Sequence, residues 1–109
     1  MNASPIANFT WPGRLHGDPA HDLIVAYLVV DIQKNLQWAE ELLRKTRAVG
    51  AGEAPFWERM GNAYWLRLYP DHAEIEEDYA AEPGSATTVP LGEFEAAVVA
   101  WRAFLALRG

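Results

Sequence analysis

The chain has 109 residues, of which 50% are hydrophobic and 12% aromatic, with no cysteine and a formal net charge of −6 at pH 7. That length suffices for one domain with a single core, and the composition excludes disorder, a disulfide framework, a thiol nucleophile and a cysteine-ligated zinc site. The longest apolar run, Leu23 to Val30, is closed by Asp22 and Asp31 and falls far short of the roughly 18 residues that a membrane span needs.

Residues 1–17 carry Pro5, Pro12, Gly13 and Gly17 and read as an irregular arm, with Phe9 and Trp11 expected to anchor it. No basic region followed by an apolar one is present, so no signal peptide is expected, and the chain reads as a soluble, cytoplasmic protein.

A long helix is predicted next. Asp18 suits the N-cap and Pro19 the first helical position. An apolar stripe then runs Ile24, Leu28, Ile32, Leu36, Ala39, Leu43 at spacings of three or four. Glu40 and Glu41 stand four residues before Arg44 and Lys45, as ion pairs along a helix require, and Arg47, Gly50 and Gly52 mark its end. The β-branched content of residues 23–30 is also compatible with a strand ended by Asp31.

The stretch EAPFWERMGN, with Phe56 and Trp57, reads as a connection. A first strand is expected over Ala63 to Tyr69, with Tyr64, Leu66 and Leu68 on one face and Trp65, Arg67 and Tyr69 on the other. Tyr69-Pro70-Asp71-His72 is a turn, and a second strand follows from His72 to Tyr79. Its Glu74, Glu76 and Asp78 share one face, while Ala73, Ile75 and Tyr79 share the other. A short third strand, Thr87 to Val89, leads into a helix beginning near Pro90 or Leu91 and carrying Phe94, Val98, Trp101 and Leu105. The sum is a single α+β domain: a long N-terminal helix, a three-stranded antiparallel meander and a C-terminal helix packed on the same sheet face.

Charge is unevenly placed. Residues 1–70 balance, whereas residues 71–95 hold eight acids and no lysine or arginine. Such a field repels phosphates, which disfavours nucleic-acid binding, and it attracts basic partners; it also serves simple solubility. Metal and cofactor chemistry find little support. His16, Asp18, His21 and Asp22 cluster, but Asp18 is occupied as a cap. A flat row of Glu74, Glu76 and Asp78 does not wrap an ion and lacks the burial that tunes a carboxylate for catalysis. No catalytic residues, cofactor or metal are therefore expected. Trp65, beside Arg67 and Tyr69, has the surroundings of a protein-interaction hot spot, and equally those of a residue covering a sheet edge.

The segments VVDIQKNLQWAEELL, FWERMGNAYWLRLYPDHAEIEEDY and TTVPLGEFEAAVVAWRAFL together resemble the immunity proteins of contact-dependent growth inhibition (CdiI type), including relatives similar to the small bacterial protein YacL. The features that carry the likeness are Asp31-Ile32 at a helix entry, Trp57 with Gly61 to Tyr64 at a strand start, the acidic strand Ala73 to Glu76, and the closing helix. The likeness spans residues 29–107. It implies a cytoplasmic, non-enzymatic inhibitor that binds the toxic C-terminal domain of a cognate CdiA toxin, often a basic nuclease acting on RNA. Glu74, Glu76 and Asp78, with Asp71 and Trp65 beside them, are the expected partner contacts. A housekeeping binding scaffold without a toxin, or a small enzyme using His72 and the acidic row, are the competing readings.

Overall fold

The computed structural model describes residues 9–77 and 86–108, so the expected strand end at Asp78 and Tyr79 lies outside the described residues. Three helices, α1 (Pro19–Tyr27), α2 (Leu36–Gly50) and α3 (Leu91–Arg108), accompany four strands, β1 (Trp57–Met60), β2 (Tyr64–Leu68), β3 (His72–Glu77) and β4 (Thr87–Pro90). The sheet is antiparallel throughout, in the order β1-β2-β3-β4.

Asp18 starts α1 as expected, its carboxylate accepting the N–H groups of Ala20 and His21. The expected single long helix, however, is two. After Tyr27 the chain widens into a π-turn, Leu28–Ile32, closed by the Gln33 N–H on the Leu28 carbonyl at 2.7 Å. Gln33 then takes φ 61° and ψ −157°, which ends the helix. Its freed carbonyl accepts the indole N–H of fully buried Trp101 at 3.0 Å, so a core tryptophan finds its partner in the break. Asn35 restarts the helix by accepting the Trp38 N–H. Leu36 consequently leaves the stripe and is 37% exposed, and α2 buries Ala39, Leu42, Leu43, Thr46 and Val49 instead. Glu40 reaches across to Arg102 on α3, rather than along α2 to Arg44.

The expected three-stranded meander gains a fourth strand, β1, in the stretch read as a connection. The inward residues Leu66, Leu68, Ala73, Ile75 and Val89 are buried under α1 and α3, against Ile24, Tyr27, Leu28, Phe94, Val98 and Trp101. Each of the leucine, isoleucine, valine and phenylalanine side chains among them contributes about 1.5–3 kcal/mol by leaving water. The stripe expected on the last helix is buried in full, and the arm is anchored as expected: Phe9 meets Trp101 edge-on at 4.9 Å, and Trp11 packs on His21. His21 accepts the Leu15 N–H at Nδ1, which leaves its proton on Nε2, facing Glu93 at 2.9 Å.

The two short motifs at Asp31 and at Gly61 to Tyr64 meet in space. Asp31, fully buried in the π-turn rather than at a helix entry, accepts the N–H groups of Ala63 at 2.9 Å and Tyr64 at 3.0 Å. It thereby holds the turn between β1 and β2 against the helical layer. Among the described residues no helix is long and apolar enough to cross a membrane.

Candidate functional site

The face of the sheet turned away from the helices carries the residues singled out by charge. Period-two alternation brings Glu58 and Met60 of β1, Trp65 and Arg67 of β2, and His72, Glu74 and Glu76 of β3 to that face. Arg67 is its hub. Its Nε–H donates to Glu74 Oε1 at 3.0 Å and its Nη2–H to Glu76 Oε1 at 2.8 Å. The guanidinium lies 4.7 Å from the centre of the Trp65 ring, and the Trp65 indole N–H donates to Glu58 at 2.9 Å. The two carboxylates raise the Arg67 pKa, the hydrogen bond to Glu76 contributing most. The acids therefore do not stand alone in solvent, as the strand pattern suggested. Glu74 and Glu76 are half-buried and clamped around one cation.

At the turn end, His72 stacks on Tyr69 with ring centroids 4.5 Å apart and planes 14° apart, and Phe56 also packs on Tyr69, at 5.1 Å. The His72 Nδ1 lies 2.6 Å from Asp71 and its Nε2 3.3 Å from Glu74. The Asp71 hydrogen bond, seconded by Glu74, raises the His72 pKa above its ordinary value, and the same bond lowers that of Asp71.

Of the expected contacts, Trp65, Glu74 and Glu76 are gathered within one network, and Asp71 joins it through His72; Asp78 lies outside the described residues. Spacing within single strands does not single out Arg67, Glu58 or Met60 as partner contacts. A signal for Arg67 existed: the tight turn pairs Tyr69 with His72, and the same register sets Arg67 opposite Glu74. Glu58 and Met60 were hidden with the strand that carries them. Met60, 55% exposed, adds an apolar edge beside Trp65. Among the described residues, no group of three or more histidine, aspartate and glutamate side chains is arranged to hold a metal ion.

The arrangement presents four carboxylates (Glu58, Asp71, Glu74, Glu76) against one guanidinium, interleaved with aromatic rings and held in fixed directions. Comparison of the chain with protein-family models, with curated proteins and with solved structures gives no match in any of the three.

Proposed function

We propose that this chain is an immunity-type binding protein of the contact-dependent growth inhibition class, which neutralises the toxic C-terminal domain of a cognate CdiA toxin in the cytoplasm without catalysing a reaction itself. The observation that supports this reading is the outer sheet face, where an excess of ordered carboxylates surrounds Trp65 and Met60. A nuclease that acts on RNA needs a basic cleft, because its substrate is a polyanion. An acidic face steers such an enzyme into encounter and penalises wrong partners, while a half-buried tryptophan supplies the contact that slows dissociation. Arg67 leaves the face net negative and fixes the carboxylates in advance, so less side-chain freedom is lost on docking.

The reading predicts a gene for a toxin-bearing exoprotein immediately upstream of this one, and co-expression with the C-terminal domain of that exoprotein tests it. The expected result is restored growth and a complex stable on gel filtration, both lost in the double variant Glu74→Lys/Glu76→Lys. Continued toxicity with no complex formed overturns the immunity assignment and favours a scaffold without a toxin.

A further inference from the structure

We infer that the open edge of β1 receives an extended segment of a basic partner protein, in which lysine or arginine alternates with large apolar residues. The sheet order ends at β1, and no segment among the described residues pairs with its outer side. The Gly61 N–H donates to the Tyr64 carbonyl at 2.9 Å, which sets Gly61 opposite Tyr64 at a hydrogen-bonding position of the ladder, although the Tyr64 N–H itself goes to Asp31. Alternation then assigns the bonds of Trp57 and Arg59 to β2 and turns the backbone N–H and C=O of Glu58 and Met60 towards the open side.

The two sides of that edge differ in chemistry. On the inner side a groove of about 240 Å³ lies between β1 and α2, lined by Trp38, Glu41, Leu42, Trp57 and Arg59. Trp38 is 42% exposed there, with the Arg59 guanidinium over its ring at 5.2 Å. A strand added to β1 points every second side chain into this groove, where two indoles and a leucine favour a large apolar group. The intervening side chains fall beside Glu58 on the acidic outer face, where a cation is favoured.

A second copy of this chain is the poorer occupant. Two β1 strands paired across a two-fold axis with their faces matched set Glu58 against Glu58, or Arg59 against Arg59, in the registers of greatest overlap. Like charges directly opposite oppose pairing, so the edge discriminates against itself. The inference deepens the function proposed above by assigning the partner's binding element, and the basic character of that element rests on that reading.

The test uses the full chain and a short synthetic peptide in which lysine alternates with leucine, with a peptide of the same composition but grouped lysines and leucines as control. Amide exchange is followed by nuclear magnetic resonance. The alternating peptide is expected to slow exchange at Glu58 and Met60 about tenfold or more, and Trp38→Ala to weaken its binding about tenfold. Met60→Pro removes an outward donor without touching the bonds to β2, and is expected to abolish the protection of the remaining outward amide, that of Glu58. Binding without protection of those two amides, equal binding of the control peptide, or no binding overturns the inference; so does protection without peptide, whether in self-associated or in monomeric chain. Loss of peptide binding with the toxin complex intact removes strand pairing alone, whereas an inert Glu74/Glu76 charge reversal removes the earlier reading.

Discussion

The Asp31 carboxylate occupies the space that a β-carbon on residue 61 would need, so Gly61 is what allows the β1–β2 turn to close over it. The cause is close approach, since the carboxylate must reach past Gly61 to the N–H groups of Ala63 and Tyr64. Gly61→Ala is expected to cost about 2–4 kcal/mol of unfolding free energy, with Asp31→Ala costing a similar amount because two half-buried donors lose their fully buried acceptor. Urea unfolding of both variants, and of the pair, measures this. The double variant should fall short of the sum of the singles, as residues acting at one contact do.

The His72 network gives the turn a pH window. His72 has a folded-state pKa above its usual 6.5, so the stability it contributes is full below 6.5 and is lost as pH rises through the raised value. Asp71 has a folded-state pKa below its usual 3.8, so its contribution is full above 3.8 and is lost as pH falls through the lowered value. Between about pH 4 and pH 6.5 both are present. His72→Gln should flatten the decline on the alkaline side while leaving acid unfolding governed by the remaining carboxylates. Thermal melts across pH read this directly, and a variant that declines with pH as the wild type does would contradict it.

Much of this architecture is legible in the sequence, for identifiable reasons. The Asp18-Pro19 cap, the Phe94 to Leu105 stripe and the alternation of Ala73 and Ile75 with Glu74 and Glu76 are local patterns, and local patterns survive folding. The helix break at Gln33 is not local. It is held by Trp101, 68 residues away in sequence, while the apolar spacing continues across it. The strand β1 is hidden because it is short and because Arg59, on its inner side, interrupts the apolar alternation by packing over Trp38 instead of facing water. The outer face was visible as a row of acids. Its organisation around Arg67 depends on pairing across strands, which spacing within one strand does not express.

Arg67 affects rate and lifetime in opposite directions on this account. Removing it as Arg67→Gln makes the face more negative, which should raise the association rate at low salt. It also frees Glu74 and Glu76 from their fixed directions, which should raise the dissociation rate more. Surface plasmon resonance against the toxin domain separates the two constants. The variant should also lose about 1–2 kcal/mol of stability, since a half-buried ion pair is broken.

Trp65 carries the apolar part of the same surface. Trp65→Ala should weaken the complex by about 2 kcal/mol, chiefly through faster dissociation, with little change in the salt dependence of association. Trp65→Phe keeps the ring over Arg67 but loses the donor to Glu58, and should fall between the two.

Whether the acidic outer face of the sheet docks onto a cationic protein is decided by the association rate of Glu74→Lys/Glu76→Lys with the toxin domain as a function of salt. The expected result is a rate lowered about tenfold or more at low ionic strength, converging on the wild-type rate as salt rises, while Glu93→Lys/Glu95→Lys on α3 changes it far less. A double reversal on the sheet that leaves the rate and its salt dependence as they are in the wild type would contradict the account.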